Sequence, residues 1–131
     1  HLEAGVQGAA FLDMVGASTP HPALDRLAPP REARMLPVMI GLAGGVHGVG
    51  LLPLTVAALA GFAAALVSAS VRLGIVGQTD GQRITAALPP VILATAQQTQ
   101  TLTLDDLGGA TFRADLMSLD HETQYSRLFR S

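Results

Sequence analysis

The chain has 131 residues, 49% of them hydrophobic and 14% charged, which is enough for one domain with a sizeable core and excludes a disordered polar segment. Its net charge of −2 leaves no basic footprint for nucleic acid or anionic lipid. The sequence contains neither cysteine nor lysine. Disulfides, thiolate metal sites, Cys nucleophiles and P-loop, kinase-type or Schiff-base lysine chemistry are therefore all excluded, and a reducing cytoplasm is compatible.

The chain opens at His1, without Met or a signal peptide, in the middle of a helical pattern. It reads as the C-terminal fragment of a longer protein. Residues 2–15, with Leu2, Val6, Ala9, Phe11, Leu12 and Met14, predict a helix ending near Gly16. Pro20, Pro22, Pro29 and Pro30 make residues 16–30 a connector, with one turn at Ala23–Leu27. A second helix is expected from Arg31 to about Val46, and Pro37 either starts its regular part or kinks it.

No charged residue occurs from Met35 to Val71. Gly44, Gly45, Gly48, Gly50 and Pro53 divide this stretch, and Pro53 suits an early helical position. Leu59, Phe62, Leu66, Ala69 and Leu73 then recur every third or fourth residue, which predicts a helical seam on a central core helix over about residues 53–73. Because most other positions there are Ala or Ser, neighbouring helices could approach it on several sides, and it is expected to be buried nearly all round. A transmembrane helix is the rival reading on length, but the stretch lacks aromatic belts and flanking basic clusters.

Gly74 and Gly77 end that helix. Thr79-Asp80-Gly81-Gln82 has a capping-box pattern and predicts a helix from about Asp80 to Leu88, where Pro89-Pro90 interrupts. Another helix is expected over Val91–Thr101, with Gln97, Gln98 and Gln100 toward solvent. Thr103-Leu104-Asp105-Asp106 opens a short capped turn that Gly108-Gly109 stops, and residues 111–119 are either a last helix or an irregular lead into the tail.

Nothing in this pattern amounts to an active site. His121-Glu122 resembles the start of a zinc-binding HExxH, but Tyr125 stands where the second His must be. His1, His21 and His47 have no metal-ligand spacing, and His47 in its Gly-rich apolar turn reads as a satisfied, partly buried side chain. Ser68 and His47 lack a GxSxG elbow, and the adjacent Asp105 and Asp106 suit a helix start. The chemistry that remains is contact. In the terminal segment, residues 121–131, Tyr125, Leu128 and Phe129 share one helical face, which Arg127 and Arg130 would flank. Gln78-Thr79-Asp80-Gly81-Gln82-Arg83 is the second dense segment, read either as a cap or as a polar contact loop.

Three stretches together resemble the urease accessory family UreF. They are Leu66–Ala69 with Val71-Arg72-Leu73 running into Gly77–Arg83, then Asp105-Asp106-Leu107-Gly108, and then Met117-Ser118 continuing to His121-Glu122-Thr123-Gln124-Tyr125-Ser126-Arg127-Leu128-Phe129. Weaker likenesses at His1-Leu2-Glu3, Gln7-Gly8, Phe11-Leu12, Pro37-Val38, Gly41 and His47-Gly48 extend the resemblance over nearly the whole chain.

The resemblance implies an all-α fold: a compact helical bundle around the central apolar helix, residues 1–131 forming one domain of a longer UreF-like protein. It also implies a non-catalytic, cytoplasmic, homodimeric chaperone of urease maturation that binds UreD (also called UreH) and recruits or regulates the GTPase UreG. Nickel would then reach apo-urease through the accessory complex, with no cofactor bound tightly by this chain. On that reading Tyr125, Leu128 and Phe129 anchor the UreD contact, Arg127 and Arg130 orient it, and His121 and Glu122 border it. Gln78 to Arg83 form a second contact loop, for the GTPase or for self-association. The alternative is an orphan helical interaction domain whose tail packs on its own core.

Overall fold

Proline and glycine positions set most helix boundaries in the computed structural model of the chain. The structure describes residues 2–109 and 111–122, and every regular element among them is helical. Helix α1 (Leu2–Ser18) runs slightly past Gly16 because polar groups satisfy its last carbonyls. The Ser18 hydroxyl donates to Met14 O at 2.9 Å and the Thr19 hydroxyl to Val15 O at 3.1 Å. Helix α2 (Pro22–Leu27) fills the expected turn. Pro22 occupies its first position, where no amide donor is needed, and His21 Nδ1 accepts the Ala23 N–H at 3.2 Å.

The single helix expected from Arg31 is instead a 3-10 turn (Arg31–Ala33) followed by α3 (Leu36–Val46). Pro37 therefore starts the regular helix rather than kinking it. Gly48 (φ 71°) and Gly74 (φ 70°) end α3 and α4 (Leu51–Arg72) with the same bonding pattern. Gly48 N–H donates to Gly45 O (3.2 Å) and Val49 N–H to Gly44 O (2.8 Å). Likewise Gly74 N–H donates to Val71 O and Ile75 N–H to Ser70 O, both at 3.0 Å. Each is a Schellman motif, which needs a left-handed residue after the helix and therefore favours glycine.

The described residues group into two units, His1–Thr101 and Leu102–Ser131. In the first, α1 and α2 pack on α3, α3 touches α4, and α4 packs on α5 (Gln78–Ala87) and α6 (Pro89–Gln98). Met39 of α3 is fully buried against Leu12 and Leu24, and Phe11, Val15, Ala28, Leu42 and Val46 pack around this cluster. Gly8 lets α1 approach the backbone after the 3-10 turn, since a Cβ there would collide with the Arg34 carbonyl. Asp13 on the same helix accepts Arg31 Nη1 at 2.8 Å and Arg34 Nη1 at 3.5 Å.

Helix α4 corrects the expectation of a helix buried nearly all round. It is central in connection, with α3, α5 and α6 against it, yet none of its residues is buried. The core lies instead around Met39. By length and composition α4 is also apolar enough to cross a bilayer, with a mean hydropathy of 2.1. After it, α6 starts at Pro89 rather than Val91, its two prolines occupying the first turn.

In the second unit, a 3-10 turn (Leu104–Asp106) precedes α7 (Phe112–Glu122). The capped start expected at Thr103 is present. Thr103 N–H donates to Asp106 Oδ2 at 2.8 Å, and its hydroxyl donates to the same oxygen at 3.0 Å.

Candidate partner-binding surface

The terminal contact segment is only partly within the described residues. His121 and Glu122 belong to the last turn of α7, whereas Tyr125, Arg127, Leu128, Phe129 and Arg130 lie outside the described residues. In α7 itself Phe112, Leu116 and Leu119 follow at i, i+4 and i+7 and are exposed, as are Leu104 and Leu107 before it. Such a stripe is what a helix presents to a hydrophobic groove on a partner.

Gln78 to Arg83 are not a loop. They are the first six residues of α5, and the N-cap is Gly77 with extended backbone (φ −72°, ψ 158°), not Thr79. The first helical bond runs from Gly81 N–H to Gly77 O at 2.8 Å. Gly81 is buried against α4, where a Cβ would come within 2.9 Å of Val71 Cγ2 and 3.4 Å of Val67 Cγ1.

The helix divides the six residues. Thr79, Asp80 and Arg83 are exposed, with Arg83 Nη1 donating to Asp80 Oδ1 at 2.9 Å across one turn. An exposed pair of this kind contributes little to stability. Gln78, Gly81 and Gln82 turn to a cleft of about 340 Å³ between α4 and α5. Its other wall is Ala64, Val67, Ser68, Val71 and Arg72, and Thr85 completes it. The sequence reading missed Ser68, Arg72 and Thr85. The signal was available, since Ser68 and Arg72 lie four apart on one face of the apolar helix, and Gln78, Gln82 and Thr85 follow at spacings of four and three on α5. The cleft pairs amide, hydroxyl and guanidinium groups with valine methyls, a lining suited to a mixed polar and apolar side chain of a partner.

The histidines do not assemble a ligand set. His47 is exposed rather than partly buried, and caps α3 through its N–H to Ala43 O at 3.0 Å. Its ring meets that of His21 edge to face, with centroids 5.7 Å apart and planes at 75°. Among the described residues no three His, Asp or Glu side chains are placed to hold a metal ion. Asp105 and Asp106 sit at the 3-10 turn, as their adjacency predicted. The two bonds from Thr103, the backbone one foremost, hold the Asp106 carboxyl below the ordinary aspartate range.

Among the described residues the chain is all-helical, and it presents apolar and mixed polar surfaces. The UreF family model matches residues 1–89, and the chain belongs to that family. It is 53% identical to the urease accessory protein UreF of Xanthobacter autotrophicus over 131 residues, covering 99% of this chain and 54% of that relative. It is also 48% identical over 134 residues to the UreF of a Bradyrhizobium species, with 99% and 54% covered, and 50% identical over 133 residues to that of Azorhizobium caulinodans, with 99% and 56% covered. The chain spans about half the length of the curated relatives it matches. No solved structure matches it significantly.

Proposed function

We propose that this chain serves urease maturation as part of a non-catalytic, cytoplasmic accessory protein that binds UreD (UreH) and brings the GTPase UreG to apo-urease. Nickel is handled by that complex rather than by a high-affinity site within one copy of this chain, and the accessory protein works as a homodimer. The observation that carries the reading is membership of the UreF family, with identity near one half along almost the whole chain, beyond the matched residues 1–89 and through the terminal segment. The exposed apolar stripe of α7 leads directly into that segment.

Tyr125, Leu128 and Phe129 act as hydrophobic anchors in a groove of UreD, with Arg127 and Arg130 making charge-assisted hydrogen bonds at its rim and His121 and Glu122 bordering the contact. The α4–α5 cleft with Gln78 and Gln82, flanked by Thr79, Asp80 and Arg83, is the second surface, for the GTPase or for self-association. The test is co-purification of a UreD-type partner with the intact chain, with the chain truncated after Asp120, and with Tyr125→Ala/Phe129→Ala. Loss of the partner at unchanged helicity is expected for both variants. Retention by the double variant would overturn the anchor assignment, and unfolding on truncation would favour a tail that packs on its own core.

A further inference from the structure

Helix α4 and its C-cap leave four large apolar residues exposed, while Leu52, Leu54, Val56, Leu59, Val67 and Val71 are half-buried. Leu51, Phe62, Leu66 and Leu73 are 61%, 66%, 55% and 44% exposed. At 100° per residue they fall in one line with Thr55, Ala58 and Ala69, so the spacing is 4, 3, 4, 4, 3, 4 along about 30 Å of helix. Val67, Val71, Ala64 and Ser68, which face the α5 cleft, lie off this line. Of the seam that the sequence marks as core, Phe62, Leu66 and Leu73 are thus exposed among the described residues, while Leu59 and Ala69 are half-buried.

We infer that this stripe is the seat of one amphipathic helix supplied by the part of the full-length UreF protein that this chain does not match. Three observations select that occupant. The repeat is that of a helix-on-helix seam, whereas a strand or loop would not follow a 3–4 spacing over about six turns. Ala58, Ala69 and neighbouring Gly61 and Ala65 are small enough to let a second helix lie close, and no charge interrupts the seam before Arg72. Finally, relatives that match 99% of this chain are nearly twice as long, so their additional chain must be placed somewhere, and an uncovered apolar stripe is where it buries most. The inference rests on family membership and not on any assignment of UreD or UreG contacts.

The absence of cysteine permits a direct test. Phe62→Cys is made in the 131-residue chain and in a full-length chimera, in which this chain replaces the matching part of the Xanthobacter relative and the added part has its cysteines changed to serine. Maleimide labelling is expected to be rapid in the short chain, roughly tenfold or more slower in the folded chimera, and equal for the two in denaturant. As a second measurement, Phe62→Glu is expected to leave the melting temperature of the short chain within about 2 °C, because the site is exposed, and to lower that of the chimera by more than 5 °C. Rapid labelling of the chimera overturns the inference. So does protection in the short chain that rises with protein concentration, which would make a second copy the cover, or protection by added phosphatidylcholine vesicles, which would make it a bilayer.

Discussion

Gly81 and Gly61 put the same substitution into two helices under opposite packing. Replacing a helical glycine by alanine stabilises by about 1 kcal/mol, chiefly through lower chain entropy in the unfolded state. Gly61, in the middle of α4, has open space around its ideal Cβ position, so Gly61→Ala is expected to gain that amount in full. At Gly81 the new methyl would stand 2.9 Å from Val71 Cγ2 and 3.4 Å from Val67 Cγ1, whereas carbon atoms pack at about 3.5–4.0 Å. Both neighbours are β-branched and stiff at χ1, so the helices must part by about half an ångström or more. Overpacking of this kind costs about 1–3 kcal/mol. The two terms leave Gly81→Ala neutral to destabilised by about 2 kcal/mol, and the pair of variants about 1–3 kcal/mol apart. Thermal unfolding followed by circular dichroism would read this as a separation of about 4–12 °C. Equal stabilisation by both substitutions would refute the close α4–α5 crossing, and with it the cleft that Gln78 and Gln82 line.

Other consequences are open to measurement. Met39→Ala, removing the fully buried side chain between Leu12 and Leu24, is expected to cost about 2–5 kcal/mol by urea denaturation; a loss under 1 kcal/mol would move the core elsewhere. Gly74→Ala forces a left-handed residue to carry a Cβ and is expected to cost about 1–2 kcal/mol, while Gly45→Ala, inside α3 with open space and ordinary backbone, should stabilise by up to about 1 kcal/mol; equal effects would contradict the Schellman end of α4. The Asp106 carboxyl is held below the ordinary aspartate range, so its contribution to the Thr103 turn is present at neutral pH and lost as pH falls through that lowered value. Carboxyl-carbon NMR should find the depressed midpoint, and Thr103→Val should raise it only in part, because the stronger backbone donor remains. A midpoint in the ordinary range for the unsubstituted chain would contradict the capped turn.

Exposure of α4 bears on how its composition is understood. A 22-residue helix without charge before Arg72 satisfies the length and hydropathy of a membrane span, and it has no buried residue here. The contrast with α3 is instructive, because that helix is half as long yet holds Met39, Ala43 and Gly44 in the interior. Hydropathy reports only that a surface is costly to leave in water, and which surface covers it is a matter of the neighbours.

The helical class and most boundaries were legible from the chain alone, because they are local. Prolines at positions 22, 37, 53 and 89 sit in first turns where an amide is not needed, Gly48 and Gly74 supply the left-handed residue that stops a helix, and Thr103 with Asp106 closes its own turn. The absent cysteine and lysine excluded whole chemistries without any coordinates. Tertiary structure decided what local pattern cannot carry. Thr79 matches a cap by spacing, but α5 starts at Gln78, and only the tertiary structure shows Gly81 at the close approach to Val67 and Val71. The seam of Phe62, Leu66 and Leu73 is apolar in sequence whether or not anything covers it. The placement of α3, α5 and α6 against α4 leaves these three side chains exposed among the described residues, since periodicity fixes which residues share a face and packing alone selects which face meets protein.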